Sequence, residues 1–245
     1  MLDAVLYRES NMNINLQPVG ILHSPYREKF IVPRQPGLVP SVCAELKLSP
    51  PFNRPEAVRE LEQFSHLWLI FLFHQTMNQK WQPTVRPPRL GGNKRVGVFA
   101  SRSPFRPNPI GLSAVELSGI RQTDDGPVLE LKGIDLIDGT PILDIKPYIP
   151  YTDSINKACG GFADQLPAPN MRVTFTEQAL RQLDNYRGQH PQLQSLIIDL
   201  LATDPRPAYR KDQQDDKEYG TLLYDYNLRW RIADGITLVT AIDPA

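Results

Sequence analysis

The sequence predicts a mainly β protein in which a single-sheeted β-barrel precedes a small α+β domain. Between about residues 16 and 146, runs rich in β-branched and aromatic residues alternate with short turns, and one helical pattern interrupts them. The 24 prolines among 245 residues are about twice the average share, which favours strands and loops over a helical bundle. Successive strands with short connections predict a closed or nearly closed barrel, because closure leaves no free sheet edge.

The composition of the runs predicts seven strands in the first half of the chain. They lie at residues 16–23, 44–48, 67–73, 95–100, 110–120, 127–136 and 142–146. Asp124-Asp125-Gly126 joins the fifth and sixth strands and is typical of a hairpin turn. The run at 67–73 is apolar at every position, and we interpret it as a buried strand.

A single early helix is predicted at residues 54–64. Asn53 can cap its N-terminus, Pro55 suits the first turn, and Glu56 complements the positive end of the helix dipole. Apolar residues then recur on one face of the predicted helix.

The pattern changes in the second half of the chain. Thr176 is the predicted cap of a helix of about a dozen residues, and Pro191 opens a second helix. Two β runs at 219–232 and 235–242 then predict a hairpin. The predicted division is a mobile tail at residues 1–15, a barrel domain at 16–155, a polar linker at 156–170 and an α+β domain at 171–245.

Composition excludes several classes of protein. With 27 basic and 27 acidic residues, RNA binding would depend on local sorting of charge. No run reaches the roughly 18 apolar residues of a membrane span, and charged residues interrupt the N-terminus, so no signal peptide is predicted. Cys43 and Cys159 lie far apart and have no CxxC partner, which argues against a metal site. These observations predict a cytoplasmic protein that needs neither a membrane nor a metal.

The most informative run is SRSPFRPNPIG at residues 101–111. Its three prolines exclude it from a helix or a central strand. It therefore forms a stiff cationic loop at the rim of the sheet, and a rigid loop of this kind is typical of a binding site. No Gly-x-Gly-x-x-Gly follows the first strand, so a nucleotide cofactor would bind in a site built from loops.

This run and six other segments resemble the TsaA-like (TrmO) family of tRNA methyltransferases. The other segments are VPRQPG at 32–37, FSHLW at 64–68, FHQ at 73–75, RPPRLGG at 86–92, DGTP at 138–141 and DPRPAYR at 204–210. The resemblance extends from about residue 16 to the C-terminus. A motif set of this length in this order is highly specific.

The resemblance implies both an architecture and a reaction. It implies a six- or seven-stranded barrel that binds S-adenosyl-L-methionine, a small C-terminal RNA-binding domain, and a homodimer with the active site near the subunit interface. The implied reaction methylates N6 of N6-threonylcarbamoyladenosine at position 37 in the anticodon loop of threonine tRNA, and no metal takes part.

S-adenosylmethionine requires a cation for its carboxylate, an acceptor for its ribose diol and an apolar slot for its adenine. The cation could come from Arg34, Arg102 or Arg106, and the acceptor from Asp135, Asp138 or Asp144. The resemblance implies that the pocket is lined by Pro33, Arg34, Gln35, His74, Gln75, Arg102, Leu112, Asp135, Leu136, Ile137 and Asp138.

The predicted catalytic residues are Asn108, Asp138 and Tyr209. An Asn oxygen beside a proline-flanked carbonyl can hold the hydrogens of an exocyclic adenine nitrogen, and unrelated amino-methyltransferases use an Asn-Pro-Pro loop in this way. Cations and an aromatic ring in a proline-stiffened loop suit phosphate contacts and base stacking. The predicted RNA-binding residues are Arg106, Arg206, Tyr209, Arg210, Asn227 and Arg229.

Structural alternatives remain open for these residues. The arginines can brace loops by donating to carbonyls, Asn108 and Asp138 can hold turns, and His74 can be a buried, hydrogen-bonded residue. The loop at 204–210 can dock one domain on the other. For the whole protein, the alternative is a non-catalytic S-adenosylmethionine sensor or RNA-binding module, which would bind cofactor without turnover.

Overall fold

A computed structural model describes residues 14–166, 171–206, 217–233 and 235–245. The strands of its first half are β1 (Gly20–His23), β2 (Cys43–Leu48), β3 (His66–Leu72), β4 (Thr84–Val85), β5 (Val96–Gly97), β6 (Ile110–Thr123), β7 (Gly126–Lys132) and β8 (Thr140–Pro147). Six of them close into a barrel in the order β1-β2-β7-β6-β3-β8, with antiparallel pairing throughout. The predicted closed barrel is therefore confirmed, with six strands.

The barrel interior is filled by inward-facing side chains that alternate along each strand. On β3, Leu67 and Leu69 are fully buried and Phe71 is 6% exposed, whereas the outward residues between them are half-buried. Leucines and isoleucines from the other barrel strands complete this core: Leu22, Leu46, Leu129, Leu131 and Ile142.

A close approach between β3 and β6 requires glycine at position 111. Gly111 pairs with Phe71 across the two strands, and a methyl group on Gly111 would lie 2.2 Å from the Phe71 ring. Phe71 cannot easily give way, because it packs edge-on against Phe73 with 5.0 Å between ring centroids. We expect Gly111→Ala to lower the free energy of unfolding by about 1–3 kcal/mol in urea titrations.

The matched control for this substitution is Gly97→Ala. No heavy atom lies within 4 Å of a methyl group placed on Gly97. Its stability should therefore stay within about 0.5 kcal/mol of the parent protein. Equal losses at the two positions would contradict the steric explanation.

The second half is a four-stranded sheet with two helices on it. A single-turn helix, α1 (Pro150–Asp153), precedes it, and its own elements are β9 (Arg172–Phe175), α2 (Glu177–Tyr186), α3 (Leu193–Ala202), β10 (Tyr219–Leu223), β11 (Tyr226–Ala233) and β12 (Ile236–Pro244). The sheet order is β10-β11-β12-β9, with β9 parallel to β12. No helix in the described ranges has the length and apolarity needed to cross a membrane.

Thr176 caps α2 as predicted, since its hydroxyl accepts from the Ala179 N–H at 3.2 Å. The predicted hairpin arm at 219–232 is two strands rather than one. They meet at a turn where Tyr224 has a positive φ of 53°, and no glycine marks that turn in the sequence.

Two predictions in the barrel half were wrong. Residues 54–64 form two short 3-10 turns, Pro55–Val58 and Leu61–Gln63, which are separated by Glu60 at φ 66°. Val58 is the one buried residue of these turns. A full helix here would therefore bury little apolar surface and gain little stability from packing. The strand predicted at 95–100 stops at Gly97, and Phe99 beyond it is 77% exposed.

The barrel and the C-terminal sheet meet along the segment that follows β1. Tyr26 is fully buried and bridges to Leu223, and the Pro25 carbonyl accepts from the Tyr224 N–H at 2.8 Å. Arg27 donates to the Tyr224 carbonyl. The buried residues of both halves form one continuous core cluster. The predicted domain boundaries stay a prediction, and the tail prediction falls largely on residues outside the described ranges.

Candidate active site

A cleft of about 640 Å³ opens at the rim of the barrel. The outer faces of β3 and β6 and the loops at residues 32–35, 101–106 and 135–137 enclose it. The predicted cofactor residues that line it are Pro33, Arg34, Gln35, His74, Gln75, Arg102, Leu112, Asp135, Leu136 and Ile137. A smaller depression of about 380 Å³ lies beside the 3-10 turns and contains none of the predicted site residues.

One wall of the cleft is apolar. Trp68, Ile70 and Leu72 line it from the outer face of β3, and Ile110 and Leu112 line it from β6. This wall explains why the run at 67–73 is apolar at every position: one side of β3 fills the barrel and the other faces the cleft. A slot of this kind suits a planar base or an aliphatic chain.

The acidic group of the cleft is Asp135. It accepts a hydrogen bond from the Ser113 hydroxyl at 2.6 Å, and burial raises its pKa to about 6, while the nearby Arg102 acts in the opposite direction. Of the acidic alternatives from the sequence, Asp144 lies outside the lining and pairs with Lys146 at 3.2 Å. Asp135 is therefore the acceptor that the cleft presents to a ligand.

Two arginines supply positive charge to the same cleft. Arg102 donates to the side-chain oxygen of Gln35. Arg34 has no hydrogen bond or ion pair with any described residue, and desolvation by the surrounding protein lowers the pKa of its guanidinium even though the side chain keeps solvent access. An unpaired, partly desolvated cation of this kind favours an anionic ligand.

The structure places Asp138 differently from the prediction. Its carboxylate accepts from the Ser24 N–H at 3.0 Å and from the Arg27 guanidinium, and it is absent from the cleft lining. The Ser24 hydroxyl also donates to the Leu136 carbonyl at 2.9 Å. Asp138 thus anchors the loop whose preceding residues form the cleft wall.

The proline-rich run forms the stiff rim loop that its sequence predicts. Arg106 donates to the carbonyls of Ser101 and Ser103 at 3.2 and 3.3 Å, so it braces its own loop while also lining the cleft. Asn108 lies outside the lining with an exposed side chain, and its carbonyl accepts from the Ile110 N–H at 2.8 Å. The side chain of Asn108 remains available to a ligand.

The predicted RNA-binding residues of the C-terminal half differ in burial and pairing where the structure describes them. Arg206 is 4% exposed and is held by Asp204 at 2.9 Å, a burial that suits bracing of the turn rather than the predicted phosphate contact. Arg229 pairs with Asp243 at 2.7 Å, and the neighbouring Asn227 is half-buried. The other two predicted residues of this group, Tyr209 and Arg210, lie outside the described residues.

Sequence reasoning missed Ser113 and Trp68. Ser113 is 2% exposed and is the one polar residue of the run at 110–115, which was a signal that it serves a buried polar partner. The Trp68 indole N–H donates to the Asp153 carboxylate at 2.9 Å, and the local sequence pattern does not predict that contact. Among the residues that the structure describes, no group of three or more His, Cys, Asp or Glu could hold a metal ion.

Comparison with known families covers both halves of the chain. The family model described as tRNA-methyltransferase O N-terminal domain matches residues 21–154, and that of the TrmO C-terminal domain matches residues 168–245. The chain belongs to the TrmO family.

Relatives within the TrmO family are similar over nearly their full length. A tRNA (adenine(37)-N6)-methyltransferase of Escherichia coli K12 is 51% identical over 95% of this chain and 99% of its own. A putative S-adenosylmethionine-dependent methyltransferase, RcsF, of Pseudomonas aeruginosa is 47% identical over 89% of this chain and 93% of its own. The crystal structure of TrmO from P. aeruginosa superposes with a TM-score of 0.79 at 39% identity, covering 94% of this chain and 98% of that one.

Proposed function

We propose that this protein is an S-adenosylmethionine-dependent methyltransferase that acts on N6 of adenine 37 in tRNA, with N6-threonylcarbamoyladenosine of threonine tRNA as the substrate nucleoside. The names of its relatives support the reaction class. The observation that carries the proposal for this chain is one cleft that combines an unpaired cation, a half-buried, desolvated carboxylate and an apolar wall.

These three features fit S-adenosylmethionine. Arg34 would bind its carboxylate, since a guanidinium without a protein partner gains most from an anion. Asp135 would accept from the ribose hydroxyls, and that hydrogen bonding would offset the cost of keeping the carboxylate ionised. Leu112 and the outer face of β3 would cover apolar surface of the ligand. When bound, S-adenosylmethionine supplies an electrophilic methyl group.

The chain's own residues orient the acceptor nucleoside and exclude water. Asn108 stands in a loop that three prolines and the Arg106 bonds hold rigid, so its side-chain oxygen is pre-positioned to accept from the N6 hydrogen of the base. Such a contact would hold N6 towards the cofactor and increase electron density on that nitrogen. Catalysis would then rest mainly on orientation and on removal of the N6 proton.

Two residues receive roles other than those the sequence suggested. Asp138 would act as a positioning residue, because Ser24 and Arg27 occupy its carboxylate. Arg206 would brace the start of the C-terminal loop through Asp204. Tyr209 and Arg210 keep their proposed roles in stacking on the anticodon loop and binding its phosphates, because a ring beside a cation suits unpaired RNA.

We also propose that two copies of the chain form a homodimer around the cleft. Leu112 is 51% exposed and Ile110 is 36% exposed, although both belong to the apolar wall of the site. Phe99, near the start of the rim loop, is 77% exposed. A second copy would cover these side chains and close the cleft against water. Because tRNA is its substrate, the protein would work in the cytoplasm.

The test is mass spectrometry of tRNA nucleosides after incubation with the protein and S-adenosylmethionine labelled in its methyl group. We expect one labelled methyl group on N6-threonylcarbamoyladenosine, and none in tRNA that lacks the threonylcarbamoyl modification. Binding of the cofactor without any labelled nucleoside would instead favour the sensor function.

A further inference from the structure

One stretch of the barrel half carries a net positive charge because it lacks acidic residues. Residues 63–115 contain seven of the 27 basic residues and none of the 27 acidic ones, which leaves the rest of the chain net acidic. The central part of this stretch, residues 77–100, forms an excursion between β3 and β6 that we call the basic arm. It carries five of the seven cations: Lys80, Arg86, Arg89, Lys94 and Arg95.

Both ends of the basic arm lie at the rim of the cleft. The short 3-10 turn His74–Thr76 leads into the arm and lines the cleft, and the loop at 101–106 leaves it and lines the cleft as well. Within the arm, β4 and β5 form a small hairpin. The arm is bonded to the rim loop, since the Gln82 N–H donates to the Phe105 carbonyl at 3.1 Å. This backbone hydrogen bond ties the arm to the rim of the cleft.

The cations of the arm fall into two groups. Arg89 donates to the carbonyls of Ala163 and Gln165, and Arg95 donates to Thr84, so these two hold the arm in shape. The other three are exposed and have no hydrogen bond or ion pair with any described residue: Lys80, Arg86 and Lys94. Like charges without counter-charges repel one another, and a bound polyanion removes that repulsion.

An exposed aromatic ring accompanies these free cations. Trp81 is 52% exposed and directly follows Lys80. Cations that bind phosphates beside a ring that stacks on a base form the usual combination for unpaired nucleic acid. A second copy of the chain would offer no compensating acidic charge from the same stretch, so charge complementarity favours RNA as the occupant.

We propose that the basic arm is a second RNA-binding surface, separate from the C-terminal loop, and that it holds the nucleotides flanking the target base as that base enters the cleft. Lys80, Arg86 and Lys94 bind backbone phosphates, and Trp81 stacks on an unpaired base. The proposal rests on the proposed function, because it takes tRNA as the substrate. Under this proposal, the barrel half supplies the phosphate contacts to tRNA that do not depend on its base sequence.

The experiment measures binding of a fluorescently labelled threonine tRNA to the intact protein across a series of KCl concentrations. Each of Lys80→Ala, Arg86→Ala and Lys94→Ala should flatten the log–log salt dependence by about 0.7 and weaken binding about fourfold at physiological salt. In the triple variant, the slope of log affinity against log salt should become shallower by about 2, and tRNA affinity should fall about 50-fold. Trp81→Ala should weaken binding by about 5- to 150-fold with little change in slope.

Two exposed barrel cations outside the arm serve as matched controls. Lys47 and Arg59 also lack an ion pair with any described residue, so Lys47→Ala and Arg59→Ala should leave slope and affinity unchanged. Calorimetry should show unchanged S-adenosylmethionine affinity in every arm variant, and sedimentation should show an unchanged mass.

A parental salt slope in the triple variant would overturn the proposal. The proposal would also fail if Trp81→Ala lowered the sedimentation mass of the protein and left the salt slope of tRNA binding unchanged. That result would show that the surface contacts a second copy of the chain rather than RNA. If the parent protein binds tRNA with the expected slope but forms no methylated nucleoside, the proposed function fails while the RNA surface stands.

Discussion

Replacing Asp135 by asparagine is expected to stabilise the ligand-free protein at neutral pH and to weaken cofactor binding. Desolvation raises the pKa of this half-buried carboxyl from 3.8 to about 6, so at pH 7 the folded protein carries an unfavourable, poorly solvated charge. Asparagine removes that charge and can still accept from the Ser113 hydroxyl. The predicted gain in the free energy of unfolding is about 2–3 kcal/mol at pH 7.

The pH dependence of this effect has a definite sign. Because the folded-state pKa lies above the unfolded value, the folded state binds more protons between about pH 4 and pH 6. The contribution of Asp135 to stability therefore falls as the pH rises through that window and stays low above it. Asp135→Asn has no carboxyl to titrate at this position. Its free energy of unfolding should therefore exceed that of the parent protein only slightly at about pH 4 and by the full amount near pH 7.

Urea unfolding at both pH values, combined with calorimetry of S-adenosylmethionine binding, measures the two effects together. Loss of a charged acceptor should weaken the cofactor by about tenfold. Asp144→Asn is the control: Asp144 lies outside the cleft and its ion pair with Lys146 is exposed, so cofactor affinity should be parental and stability should change by less than about 1 kcal/mol. A stability difference that does not vary with pH would contradict the assignment of a raised pKa to Asp135.

Removal of the Arg34 guanidinium is expected to have the largest effect on cofactor affinity. Arg34→Ala should weaken S-adenosylmethionine binding by about 1.5–3 kcal/mol, or about 10- to 150-fold, because it removes a charge-assisted bond to the cofactor carboxylate. Arg34 has no described protein partner, so its removal leaves no buried group unpaired and should not lower stability. Calorimetry and thermal unfolding of the same samples check both statements.

Arg34→Lys keeps the charge but loses the planar pair of donors, so its affinity should fall between the parent and Arg34→Ala. Arg59→Ala removes an exposed arginine outside the cleft and should bind cofactor like the parent. Parental affinity in Arg34→Ala would remove this residue from the carboxylate site and shift that role to Arg102.

The regular part of the barrel could be predicted because its signals are local. The hairpin at Asp124-Asp125-Gly126 and the long strand after residue 110 depend on turn chemistry and β-branched composition within a few residues. The α-helix predicted at 54–64 was wrong because that prediction also depended on local signals alone. Cap and first-turn residues are compatible with a 3-10 turn as well as an α-helix, and only tertiary burial decides between them.

Motifs predicted most of the segments that line the cleft, but they did not predict how the side chains within it are arranged. Asp135 and Asp138 differ by three positions, yet one lines the cleft and the other bonds to Ser24 and Arg27, more than 100 residues earlier in the chain. Burial of Arg206 likewise depends on tertiary packing that a cationic pattern does not encode. Long-range contacts of this kind have no signature in a single sequence.

The segment at residues 24–28 has a consequence for how this family can be recombined. By chain order it belongs to the barrel, yet it bonds to the cofactor-side loop through Asp138 and to the C-terminal sheet through Tyr224 and Asp225. A C-terminal half grafted from a relative would meet these five residues, together with Ser41 and Cys43, which contact Asp199 and Gln192. Grafting the C-terminal half of a relative onto this barrel therefore also requires the matching residues 24–28, because otherwise the hydrogen bonds to Tyr224 and Asp225 would be lost.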